Sequence, residues 1–162
     1  MNHNQLRQKV ILEIKKINWI PYHGMNQIHT LVLNRPDWCI SRQRIWGVPM
    51  PIFINKDTEN IHPKNFQFIE SIAKKIEIYG IQTWWDLNKK ELLGSEKNDY
   101  KKIPDTLDVW FDSGATYDAI LRKKWLILKK NPVDMYLEGF DQYRGWFMSS
   151  IVLSTAITGH RP

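Results

Sequence analysis

Residues 134–159, DMYLEGFDQYRGWFMSSIVLSTAITG, constrain the fold more than any other stretch. Met135, Tyr136 and Leu137 form a short apolar run, the pattern of a strand covered on both faces. Glu138 and Gly139 end that run. Asp141 stands where a helix N-cap would stand, able to accept from backbone N–H groups one turn on. Trp146, Phe147, Met148, Ile151, Val152, Leu153, Ala156 and Ile157 then cover more than half a helix circumference, so the helix is expected to be buried. Gly159 is the expected stop, with Pro162 beyond it.

Strand, polar elbow and buried helix together predict an α/β unit. In open α/β sheets, ligands bind outside the carboxyl ends of strands, beside helix N-termini. Glu138, Asp141 and Gln142 stand at such a place. Carboxylates there accept from ribose hydroxyls or from an amine, and repel phosphate. In the structural alternative, Asp141 only caps the helix and Glu138 is an exposed strand end.

Two other stretches carry chemistry-bearing side chains. In PDTLDVWFDSG (104–114), alternation predicts a strand with Leu107, Val109 and Phe111 on one side and Asp108, Trp110 and Asp112 on the other. An aromatic between two carboxylates reads as a pocket wall. The two Asp are also open to reading as Mg²⁺ ligands, or as helix-cap and loop acceptors. Residues 34–48 mix Arg35, Arg42 and Arg44 with Trp38 and Trp46, the combination that holds RNA bases and phosphates. The alternative puts the Trp in the core and lets the Arg tie a loop by hydrogen bonds. Cys39, between Trp38 and Ile40, reads as a small buried hydrophobe.

The remaining segments are packing elements. Spacing predicts helices over 5–18 (Leu6, Val10, Ile14 and Ile17 inward), 25–33, 63–79 (Pro63 first; Ile69, Ile72, Ala73 and Ile76 inward) and 83–93. It predicts a short strand at 50–54, a charged loop at 95–103, and a basic helix over 115–131 with Trp125 and Leu128 inward. A net charge of +6 allows a polyanionic partner without requiring one. The lone cysteine excludes an internal disulfide framework and fits a reducing cytoplasm, and the polar first ten residues predict no signal peptide. No apolar run reaches membrane-spanning length, and the His and Cys make neither C-x-x-C nor H-E-x-x-H.

DMYLEGFDQYRGWFMSS resembles the second catalytic half of bacterial-type isoleucyl-tRNA synthetases, which usually read Y-L-E-G-S-D-Q-H-R-G-W-F here. NRPDWCISRQRIWGVPMPIF at 34–53 and PDTLDVWFDSG at 104–114 match in the same order, and NKDTENIHP and GIQTWWDL extend the likeness to most of the chain. The resemblance implies an α/β fold: the second half of a Rossmann-like class I synthetase catalytic domain, with helices on a small, mainly parallel sheet. It implies a helical lead-in over 1–33, following an editing insertion, and the catalytic half over 34–162. The implied reaction joins isoleucine and ATP (with Mg²⁺ as part of that substrate) into isoleucyl-adenylate, then passes the aminoacyl group to tRNA(Ile).

In that scheme Glu138 and Gly139 lie against the adenylate, with Asp141 assisting and Gln142 holding the ammonium. Trp110 and Trp146 close an apolar pocket around the side chain, and Arg42 or Arg44 meets the acceptor stem. No metal is expected on the chain itself. The family's H-I-G-H and K-M-S-K-S motifs and its editing and anticodon-binding parts are not among these residues. The N- and C-terminal parts of a synthetase are therefore expected partners, and the isolated chain is expected not to form adenylate. Three positions depart from the family: Phe140 for Ser, Tyr143 for His and Ala115 for Ser. The Phe is expected to crowd the ribose side, and loss of the His to remove a contact to ATP. The competing readings are a free RNA-binding module, using Arg35, Arg42 and Arg44, and a non-functional gene remnant.

Overall fold

The computed structural model describes residues 1–122 and 133–162. Its helices, in chain order, are α1 (Leu6–Lys15), α2 (His23–Leu33), α3 (Asn65–Tyr79), α4 (Gln82–Asp86), α5 (Lys90–Leu93), α6 (Val109–Gly114) and α7 (Trp146–Thr158). Its strands are β1 (Ser41–Arg42), β2 (Phe53–Asn55), β3 (Tyr100–Lys102) and β4 (Thr106–Leu107). Most of the basic helix expected over 115–131 lies outside the described residues; its start, Tyr117–Arg122, is a π-type helical segment. Packing divides the chain into two compact units, one of Met1–Ile40 with Asp108–Pro162, the other of Ser41–Leu107.

In the first unit, α1, α2 and α7 enclose a core of Val10, Ile11, Ile14, Ile28, Val32, Met148, Ile151 and Val152. The i, i+4 spacing of Val10 and Ile14 puts both fully inside, as periodicity predicts, and Leu6 and Ile17 pack at the margin. Periodicity gave no sign that Glu13 is buried beside them. Its carboxylate pairs with Lys16 and accepts from the Arg161 backbone N–H at 3.0 Å. Burial alone would raise its pKa, but these hydrogen bonds outweigh burial and hold it below the usual value. Helix α7 is buried from Met148 through Thr155, and Gly159 ends it at φ +82°. Ala156 and Ile157, expected inside, are exposed, because the last turn runs past the edge of the core. Helix α6 approaches α7 so closely that a Cβ on Gly114 would lie 2.7 Å from Leu153 Cδ1 and 2.9 Å from the Ser149 carbonyl oxygen.

Among the described residues the mainly parallel sheet is absent: both sheets are two-stranded and antiparallel, β1 with β4 and β2 with β3. The strand expected at 135–137 is an irregular segment that joins neither sheet. It is not covered on both faces. Met135 and Leu137 are 70% and 85% exposed, while Tyr136 turns inward and stacks on Trp146 at 4.4 Å and 6°. An extended backbone becomes a strand only when a neighbour takes its N–H and C=O groups.

The strand expected across 104–114 is likewise cut short at Leu107. Asp108 caps α6 by accepting from Trp110 N, and the alternation of sides gives way to helical spacing. Cys39, expected to be buried, is exposed.

The second unit is built around Phe53, Phe68, Ile72, Trp84, Leu87 and Leu93. Ile72 is the buried centre of the α3 stripe, but Phe68 takes the place expected of Ala73, which is exposed. The expected helix over 83–93 divides into α4 and α5 where Leu87 adopts ψ 121°. Lys102 Nζ donates to the carbonyls of Trp84 and Trp85 at 2.6 and 3.0 Å, satisfying groups at the end of α4 that have no partner within the helix. That lysine sits on β3, a strand inside the segment expected to be loop.

Candidate active site

The elbow between residues 135–139 and α7 is a 3₁₀ turn, Phe140–Tyr143, followed by Gly145 as the cap of α7. Asp141 is therefore not the N-cap of the buried helix; it lies four residues too early. Gln142 serves there instead. Its Oε1 accepts from Trp146 N at 3.0 Å, and its Nε2 donates to Asp141 Oδ2 at 3.2 Å. One of the two Oε1 lone pairs remains for a cationic donor.

Trp110 and Trp146 meet Gln142 at Gly145. A Cβ built on Gly145 would lie 2.7 Å from Gln142 Oε1 and 2.9 Å from Trp110 Cη2. Only glycine lets the indole approach this close. Trp146 is fixed on two sides, its Nε1 donating to Ser113 O at 2.9 Å and one ring face covered by Tyr136. The structure thus brings Gln142, Trp110 and Trp146 together, and Asp141 joins them through Gln142. Glu138 and Gly139, just before the turn, are exposed. A hollow of about 400 Å³ is lined by Gln27, Leu31, Phe140, Asp141 and Arg144; neither Trp lines it.

Asp108, 5% exposed, holds Trp110 from behind. Its Oδ2 accepts from Trp38 Nε1 at 2.8 Å and its Oδ1 from Trp110 N at 3.4 Å. These bonds make it a cap and a brace, not half of a magnesium pair with Asp112. Burial, and secondly the Asp108 charge, push the Asp112 carboxyl above its usual range. Arg35 is drawn inward too. Its guanidinium lies 5.4 Å from the Trp38 ring centroid and donates to Met148 Sδ, so it belongs to the scaffold and not to an RNA-facing surface. Sequence reasoning missed Gly145, Ser113 and the bracing role of Asp108. The G-W dipeptide ahead of the buried helix was the one local signal for Gly145.

The departures fall differently from expectation. Tyr143 is buried in the core, its hydroxyl seated where Gly24 leaves room: a Cβ on Gly24 would lie 2.1 Å from it. That side chain packs the scaffold and does not face a ligand. Phe140 is exposed and borders the hollow. Ala115 is the C-cap of α6. Arg42 and Arg44 belong to the second unit.

The family described as tRNA synthetases class I (I, L, M and V) matches residues 1–162. The chain belongs to that family. It is 64% identical over all 162 residues to an isoleucine--tRNA ligase of Wigglesworthia glossinidia brevipalpis, and 54% identical over the same span to those of Haemophilus influenzae strains 86-028NP and PittEE. In each comparison the chain spans 17% of the length of that ligase. This class I synthetase segment has no helix, among the described residues, long and apolar enough to cross a membrane. Nor do three or more His, Cys, Asp or Glu come together among them in a group able to hold a metal ion.

Proposed function

We propose that this chain supplies one wall of the catalytic cleft of a cytoplasmic isoleucine–tRNA ligase. Isoleucine attacks ATP to give isoleucyl-adenylate and pyrophosphate, and the aminoacyl group then passes to tRNA(Ile). The reading rests on the convergence of Trp110, Gln142 and Trp146 at Gly145, in a chain whose whole length matches isoleucine–tRNA ligases. Two indoles, one pinned through its N–H and one through its backbone, offer a stiff apolar wall for a branched side chain. The spare Oε1 lone pair of Gln142 accepts from the amino-acid ammonium. Glu138 accepts from ribose hydroxyls, Gly139 lets the adenylate approach the backbone, and Asp141 steadies Gln142. Such chemistry needs positioning and electrostatic stabilisation more than a general base. Magnesium travels with the ATP phosphates.

The Rossmann-like parallel sheet belongs to this proposal. Residues 135–137 have a strand's composition and join neither described sheet, which leaves them to be flanked by strands from the remaining length of a ligase. Residues 1–33 are then the lead-in and 34–162 the catalytic half.

The test is a chimera in which this segment replaces its counterpart in the Haemophilus influenzae ligase. Isoleucine-dependent ATP–pyrophosphate exchange is expected from the chimera and not from the isolated chain. A well-folded chimera without exchange refutes the reading and favours a remnant; exchange by the isolated chain refutes the need for the other parts.

A further inference from the structure

Residues 43–48 of the second unit are all exposed, and at their centre Ile45 and Trp46 are 93% and 87% exposed. The loop that carries them is nonetheless clamped at both ends. Arg42 pairs with Thr106 in the β1–β4 ladder, Pro49 bridges to Thr106, and the Val48 carbonyl accepts from Leu107 N at 2.7 Å. Gly47, at φ +136°, passes so near Thr106 that a Cβ would lie 3.0 Å from the Thr106 Cβ. Thr106 itself is fully buried. One buried residue therefore anchors the whole loop, and Trp46 is presented from a fixed base.

Along the chain, the charge beside it has one sign. From residue 41 to residue 55 the chain has Arg42 and Arg44 and no Asp or Glu. An indole held in water beside the exposed Arg44, on a loop without acids, offers a π face for an unpaired base and a cation for the phosphate beside it. Duplex RNA, whose bases are already stacked, cannot use the indole in that way.

We propose that Trp46 is a stacking platform for an unpaired base at the single-stranded 3′ end of the acceptor RNA, with Arg44 on a neighbouring phosphate. The inference rests on the tRNA-binding part of the proposed function and adds the residue that reads the strand as single. Trp46 lies outside the core, so its replacement leaves the fold intact.

The experiment measures anisotropy of a labelled six-nucleotide single-stranded RNA titrated with the full 162-residue chain at several salt concentrations. The same sequence as a duplex serves as comparison. Trp46→Ala is expected to weaken single-strand binding roughly tenfold, and Trp46→Phe to retain most of it. Arg44→Gln is expected to lower the slope of log K against log salt by about 0.7. Unchanged single-strand affinity in Trp46→Ala overturns the proposal, as does duplex affinity equal to that for the single strand. If the chimera is active but Trp46→Ala binds RNA normally, the stacking role alone fails. If the chimera is inactive but RNA binding depends on Trp46, the ligase reading fails and the stacking role stands.

Discussion

Replacing Asp108 is the sharpest test of how the candidate site is held. Its carboxylate is buried, bonded to the Trp38 indole N–H at 2.8 Å and to Trp110 N at 3.4 Å. The second distance is long, so the cap contributes at the low end of its range, about 0.5 kcal/mol. The first joins an ionised acceptor to a partly buried donor, a bond in the range of about 1.5–3 kcal/mol. Asp108→Ala should therefore cost about 2–3.5 kcal/mol. With a urea slope of about 2 kcal/mol/M, the unfolding midpoint should fall by roughly 1–2 M. Arg35 adds to the loss, since burial lowers its pKa and the Asp108 charge is what offsets that burial.

A double-mutant cycle with Trp38→Phe isolates the indole bond, and a coupling of about 1–2 kcal/mol is expected. Asp108→Asn keeps an acceptor and should cost about half as much as alanine. A midpoint for Asp108→Ala that matches the parent, or a coupling indistinguishable from zero, would show that this carboxylate braces neither tryptophan.

Two further outcomes follow from the same region. Gly145→Ala places a methyl 2.7 Å from Gln142 Oε1 and 2.9 Å from Trp110, so it should cost about 1–3 kcal/mol by overpacking and move the Trp110 indole resonance in NMR. An unmoved resonance with parental stability would contradict the packing described. Asp112 has a folded pKa above its ordinary 3.8, so the fold binds its proton more tightly than the unfolded chain does. Its effect is to erode stability as pH rises from about 3.8 through the raised value. Asp112→Asn should flatten that decline in a series of unfolding curves, and an unchanged pH profile would count against it.

The order of residues alone determined the helices whose apolar spacing repeats, because one face of a helix is set by neighbours three and four positions away. Val10 with Ile14, and Met148 with Ile151, Val152 and Leu153, needed no other information to be placed inside. The motif text likewise carried the family, since E-G-x-D-Q-x-R-G-W-F is a property of chain order.

Tertiary structure decided the roles of single polar and aromatic groups. Sequence alone reads Asp108 as a pocket carboxylate; Trp38, 70 positions away, donates to it and makes it a brace. Sequence alone reads Tyr143 as a ligand-side substitution; its hydroxyl instead fills the space that Gly24 leaves. Residues 135–137 have the composition of a strand, yet Leu137 lies in solvent and no described strand pairs with them. Spacing along the chain fixes which side chains share a face. What a buried carboxylate or an extended backbone does depends on the group that completes its hydrogen bonds, and that group is supplied from elsewhere in the fold.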